Sequence, residues 1–407
     1  MNSEKQALVP RLRFPEFRDA GEWEAQKIGH HLTESRVKGS KGDVAKKLTV
    51  KLWGNGVYEK SEAVQGSANT QYYRRIAGQF IYSKLDFLNQ AFGIIPDHLD
   101  NYESTVDLPC FDASDELDVR FLLEYVQRES FYKKYGEIAD GGRKAKRIQV
   151  ETFLDFPLFL PTLREQQKIA DCLSSLDALI AAQADKIDAL KTHKKGLMQQ
   201  LFPREGETVP RLRFPEFWDA GEWGRTQLST QVELISGLHL SPTEYSDSGE
   251  IPYFTGPSDY SNELSTVRKW TARSENVGRS DDTLITVKGN GVGELLRLKL
   301  DEVAMGRQLM AVRPSIAHGG FIFFFLEAQR QRLIALASGN LIPGLSRGDI
   351  LSLEILVPEK QEQMKVANCL SALDALITAA TGNLDALKTH KKGLMQQLFP
   401  CQEAVGV

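Results

Sequence analysis

From residue 169 onward, apolar side chains recur at Ile169, Leu173, Leu176, Ile180, Ile187, Leu190, Leu197 and Leu201 in alternating steps of four and three, with Gln183 and Lys194 holding the remaining places. The same register returns at Val366, Leu370, Leu373, Ile377, Leu384, Leu387, Leu394 and Leu398, with Ala380 and Lys391 in the two other places. A repeat of about 3.5 residues is the seam of a left-handed coiled coil. Each stretch predicts one helix of about 40 residues, roughly 60 Å long, ended by Pro203 or Pro400. Thr162-Leu-Arg-Glu165 reads as a capping box at the first helix start, whereas the second copy has Glu359 at the cap and keeps Glu362. Two matching seams on one chain meet at high effective concentration, so the helices are expected to pair with each other. The long segment between them favours an antiparallel arrangement. Gly196 and Gly393 fall inside the last turns, where glycine costs about 1 kcal/mol relative to alanine, so a bend or a close contact is expected there.

Elsewhere the pattern shortens to apolar runs separated by turn signals, which predicts α+β modules. In residues 24–160 the runs are Gln79–Lys84 and Ala91–Ile95, followed by a helix over Leu117–Tyr135 and a strand over 153–160. Residues 224–357 repeat the order with Ile251–Phe254, Thr283–Val287, a helix near Phe321–Ala337 and a strand in 350–357. The order recurs because the chain is duplicated: Asp188–Pro203 returns unchanged as Asp385–Pro400, and Val9–Trp23 returns as Val209–Trp223 with Arg18 against Trp218 as the only difference. Prolines at 10 and 15 make that second block an extended strap rather than a helix. The organisation expected is a strap (1–23), a first module (24–160), a helical spacer (161–203), a second strap (204–223), a second module (224–357), a second spacer (358–400) and a tail (401–407).

Composition adds limits. A chain of 407 residues, 42% hydrophobic and 26% charged, has enough material for two cores. Its longest aromatic-aliphatic run, Phe321–Leu326, is too short to span a bilayer, and the N-terminal residues lack a signal-peptide core, so a cytoplasmic protein without membrane contact is expected. Cysteines 110, 172, 369 and 401 have no metal spacing and read as reduced structural thiols. His193 and His390 recur near the helix ends, where basic residues suit the helix dipole. Gly289-Asn-Gly-Val-Gly293 and Gly54-Asn-Gly-Val57 read as turns rather than nucleotide loops. No P-loop, zinc-protease motif or nucleophile elbow occurs, nor the Asn/Asp-Pro-Pro-aromatic segment of amino-methyltransferases, so no catalysis is expected from this chain.

A formal net charge of −4 argues against a chain that coats nucleic acid, but a local basic loop, Gly141-Gly-Arg-Lys-Ala-Lys-Arg147, stands before the last strand of the first module. Gly142 permits close backbone approach, and Arg143, Lys144, Lys146 and Arg147 suit phosphates and guanine edges. The matching loop of the second module offers Asn340 and Arg347. Lys84 and Lys288, each closing an apolar strand, and Asn290 in the glycine turn complete the candidate DNA contacts.

The repeated Pro-x-x-x-Glu-Gln helix starts (Pro161–Gln166 and Pro358–Gln363), the Lys-Lys-Gly-Leu-Met-Gln-Gln-Leu-Phe helix ends (194–202 and 391–399) and the Gly-x-x-Ile-Pro-Gly-Leu loop at 339–345 resemble the specificity subunits of type I restriction-modification systems. The first module departs from that pattern at its loop. The resemblance implies two target-recognition domains separated by two long helices that form an antiparallel intramolecular coiled coil with pseudo-twofold symmetry. Each domain would read one half of a bipartite asymmetric sequence in double-stranded DNA. It also implies that two methyltransferase subunits dock on the helices and that restriction motor-nuclease subunits join them. S-adenosylmethionine, ATP and Mg are then expected on those partners and no cofactor on this chain. Two other readings remain: an orphan specificity subunit serving a methyltransferase without nuclease, and a coiled-coil scaffold for two protein ligands.

Overall fold

The structure, a computed structural model, describes residues 8–61, 67–137, 147–273, 275–339 and 344–400. It divides into two compact units, residues 1–183 with 383–407 and residues 184–382.

In the first unit, Glu24–Lys27 pairs antiparallel with Pro157–Leu160, joining the first and last strands of the module. Between them lies an antiparallel sheet of β1 (Leu32–Ser35), β2 (Phe80–Tyr82), β3 (Phe92–Ile94) and β4 (Cys110–Ala113), in the order β1-β4-β2-β3. Cys110 faces Ser35 on one side and Ile81 on the other. Burial pushes its thiol up to about 12, so it is a neutral core group. A three-stranded sheet (Lys38–Lys41, Gln71–Arg74, Glu103–Ser104) and a hairpin (Leu48–Val50, Val57–Glu59) are added on. The core is aromatic: Phe153 stacks on Phe80 at 5.8 Å and meets Tyr82 at 4.6 Å, geometries that add to simple burial.

The second unit repeats the plan. Gly224–Gln227 pairs with Glu354–Val357, and β5 (Val232–Ser236), β6 (Thr283–Thr286), β7 (Leu295–Arg297) and β8 (Leu309–Pro314) form a sheet in the order β5-β8-β6-β7. Position for position this is the topology of the first sheet. The additions differ, since here a second four-stranded sheet contains a parallel pair, Ile251–Phe254 beside Glu302–Met305.

Each module carries a short helix, α1 (Val119–Val126) in the first and α3 (Gly319–Ala328) in the second, and each leads into a long one, α2 (Leu163–Leu201) and α4 (Lys360–Gln397). In the first unit, Ile169, Ala170 and Leu173 at the start of α2 share a core with Leu398 and Phe399, just beyond the end of α4. In the second, Met198 and Leu201 at the end of α2, with Phe202 beyond it, share a core with Val366, Ala367 and Leu370 at the start of α4. The pairing is thus antiparallel in both. Along both helices every seam position is buried or half-buried, while the off-seam Leu179 and Leu376 are 55% and 54% exposed. Both helices run unbroken through Gly196 and Gly393. No described helix is long and apolar enough to cross a membrane.

Four expectations need correction. The helix over 117–135 is two helices, α1 and Glu129–Gly136. Arg128 breaks it with an extended backbone (ψ 136°); its buried guanidinium lies 4.1 Å from the Tyr125 ring and 4.6 Å from that of Phe399, and its Nε donates to the Tyr125 carbonyl. The helix near 321–337 likewise splits into α3 and Arg330–Gly339. The strand over 153–160 begins only at Pro157, because Val150–Leu154 forms a helical turn that drives Phe153 into the aromatic core; Arg347–Leu351 does the same in the second module. Last, the Glu165 carboxylate does not close a capping box, because Arg13 takes it.

Candidate nucleic-acid interface and helix-end sockets

The start of α2 is fixed by the two residues of its Glu-Gln pair. Glu165, 1% exposed, receives Nε and Nη2 of Arg13 at 2.7 Å each. The Gln166 side chain accepts from the Asp118 amide, at the N-cap of α1, and donates to the Pro161 carbonyl. At the start of α4, Glu362 receives the Arg213 fork at 2.8 Å on each oxygen, which raises the Arg213 pKa. Gln363 accepts from the His318 amide, at the N-cap of α3, and donates to the Pro358 carbonyl. One helix turn therefore anchors its strap by charge and its module by hydrogen bonds.

The helix ends are held by lysine. Lys391 Nζ lies 3.1 Å from Glu124 of α1 and 2.7 Å from Asp177 of α2. Lys194 Nζ lies 2.9 Å from Glu327 of α3 and 2.7 Å from Asp374 of α4. Both lysines occupy seam positions, where an ammonium is tolerated because two carboxylates meet it. Burial raises the Glu124 pKa, with the Lys391 ammonium pulling the other way.

At the sheet ends the modules place different groups. In the first, the Lys84 amide donates to the Asp107 carbonyl, and the Lys84 carbonyl accepts from Ile148. Arg147 Nη1 stands 3.6 Å from Asp107. In the second, the pairs Ser236–Met310 and Thr286–Leu309 bring the ends of β5 and β6 to the start of β8. There Val287 accepts from Leu345 at 2.8 Å, Arg347 donates to the Ser236 hydroxyl at 3.1 Å, and Lys288 and Asn290 are exposed. Gly289 and Gly293, with φ of 88° and 85°, turn the chain between β6 and β7, a conformation that glycine adopts freely.

The family model for the type I restriction modification DNA specificity domain matches residues 107–192 and 222–389. The chain belongs to that family. A putative type I restriction enzyme specificity subunit of Methanocaldococcus jannaschii is 25% identical over 288 residues, covering 69% of this chain and 66% of the relative. A type I restriction enzyme specificity subunit of the same archaeon is 24% identical over 298 residues, covering 67% of each. The chain thus aligns with about two thirds of these relatives' length. In fold it is similar to the crystal structure of a type I restriction-modification S subunit from M. genitalium, with a TM-score of 0.66 at 16% identity, covering 97% of this chain and all of that one. A chain from a structure concerned with complex assembly and conformational transition of the type I restriction-modification system gives 0.58 at 16% identity, covering 93% of this chain and 97% of its own. Both archaeal relatives are specificity subunits of type I restriction enzymes by name.

For this member of the specificity family, the fold brings together Lys84 and Arg147 in one unit, and Lys288, Asn290 and Arg347 near one sheet end in the other. Gly142, Arg143, Lys144, Lys146 and Asn340 lie outside the described residues. Sequence reasoning missed Arg13, Arg213, Gln166 and Gln363 as anchors and read Lys194 and Lys391 only as seam positions. Opposite charges kept at matching places in both copies, Arg13 with Glu165 and Arg213 with Glu362, were the available signal. Also missed was the cationic segment Arg36–Lys60, with seven basic residues against two acidic ones.

Proposed function

We propose that this chain is the sequence-reading subunit of a type I restriction-modification complex, each unit reading one half of a bipartite target. The observation that carries the reading is the contrast within the repeat: strap forks, glutamine anchors and lysine sockets recur in both units, whereas the added sheets and sheet-end loops differ. Divergent loops suit two different half-sites. Identical helix ends suit two copies of one methyltransferase, which brings S-adenosylmethionine, and a motor-nuclease brings ATP and Mg. The fixed helix length makes the pair a ruler for the unread spacer. The complex works in the cytoplasm, where its DNA is.

Replacing residues 24–160 by the corresponding module of another specificity subunit tests this. Mapping methylated adenines in cells should show one half of the sequence changed and the other kept; a change in both halves overturns the two-reader assignment. Deleting one heptad from each long helix should shorten the spacer by about 3 base pairs, because seven residues rise roughly 10 Å and a base pair about 3.4 Å. An unchanged spacer removes the ruler.

A further inference from the structure

The tip of the hairpin formed by Leu48–Val50 and Val57–Glu59 is shaped in a way that core packing does not require. Trp53 is 60% exposed there. Its φ of 61° lies in the left-handed region, which a bulky side chain disfavours and which the surroundings must therefore impose. They do so through the backbone. The Trp53 amide donates to the Asn89 carbonyl at 2.7 Å and the Gly54 amide to the Gln90 carbonyl at 3.0 Å. Within the tip the Lys51 amide donates to the Gly56 carbonyl at 2.9 Å, and the Asn55 side chain donates to the Leu52 carbonyl at 2.8 Å. The indole is thus displayed on a rigid support.

The place of display matters as much. Asn89 and Gln90 belong to the connection from β2 to β3, which starts beside Lys84, so Trp53 stands at the sheet end that carries Lys84, Asp107 and Arg147. The cationic segment Arg36–Lys60 surrounds it in sequence, with Lys46 and Lys51 exposed. Lys51 Nζ lies 4.0 Å from the centroid of the Tyr58 ring, which is itself 45% exposed. A held aromatic among cations, glycines and an asparagine is complementary to nucleic acid: apolar wedges unstack base steps, and cations neutralise the adjacent phosphates.

We infer that Trp53 is the stacking residue of the first unit, its indole entering duplex DNA at one base step of the half-site while the neighbouring lysines hold the backbone. This rests on the first unit being a DNA reader. The test uses the full chain assembled with its methyltransferase, and duplexes of the mapped target with 2-aminopurine placed singly along each half-site. The methyltransferase flips the methylated adenine of each half-site out of the stack, so those positions brighten in any case; at the remaining positions wild type should brighten the probe at one step in one half-site only. Trp53→Ala should abolish that signal and weaken binding about tenfold or more, while Trp53→Phe keeps most of both. Both variants should melt and assemble as wild type does. Unchanged affinity and probe signal in Trp53→Ala overturn the inference, and so does failed assembly of that variant, which assigns the indole to the protein partner. A wild-type complex without sequence-selective binding overturns the reader itself, so the two failures are distinct.

Discussion

Arg13 and Glu165, 152 residues apart, meet in a fork of two bonds of 2.7 Å. The pair ties a proline-punctuated strap to the first turn of a long helix, with side chains 7% and 1% exposed. Removing one partner strands the other, and a buried unpaired charge costs about 3–5 kcal/mol. Arg13→Ala should therefore destabilise the first unit by about 3 kcal/mol, read as lost amide protection over residues 163–173 in hydrogen exchange. Lysine restores the charge but not the fork, so Arg13→Lys should recover only part. Protection unchanged in Arg13→Ala would dismiss the anchor.

Glu124 carries a pH dependence. Its folded pKa is raised above the ordinary 4.5, so its favourable contribution is complete below pH 4.5 and is lost as pH rises through the folded value. Glu124→Gln cannot ionise and lacks this loss. Its melting temperature should gain on wild type as pH rises above 4.5, and the gap should close again on acidification. A gap independent of pH would mean that the Lys391 ammonium fully offsets burial.

Gly196 and Gly393 sit in open helix, where an added Cβ meets nothing within 4 Å. Alanine at both should stabilise the isolated chain by about 1 kcal/mol per site, measured by thermal unfolding. If the glycines are kept for close approach of a partner, the same double variant should bind the methyltransferase more weakly in a pull-down at equal concentration. Stabilisation without any loss of assembly would remove that role.

Lys288 and Arg347 near one sheet end predict a salt effect. Each phosphate contact contributes about 0.9 to the slope of log affinity against log salt, so the double alanine variant should lower the slope by about 2. An unchanged slope in a fluorescence-anisotropy titration would place both side chains off the backbone path.

The helix pair was legible because a seam is local: four-three spacing needs no knowledge of the partner. The sheets were less so, since Cys110 pairs with both Ser35 and Ile81, positions that no local period links. The break at Arg128 was hidden because Phe399, against which its guanidinium lies, is far away in sequence. Phe153 was assigned to a strand since its apolar neighbours fit either period, and only the ring of Phe80 lying 5.8 Å away settles it. At the candidate interface, Lys84 and Lys288 were expected from their places at strand ends, whereas Trp53 gave no sign, because its left-handed backbone is tied to Asn89, which no local period links to it.

The first core includes Phe399, whose ring lies 6.0 Å from Trp23 and 5.3 Å from Phe121. A ribosome making this chain delivers the second unit, residues 184–382, as one continuous piece, while the first, begun earlier, waits for the end of α4 before its aromatic cluster closes. Order of birth and order of completion are therefore reversed. Any truncation that removes the last turn of α4 damages the module translated first.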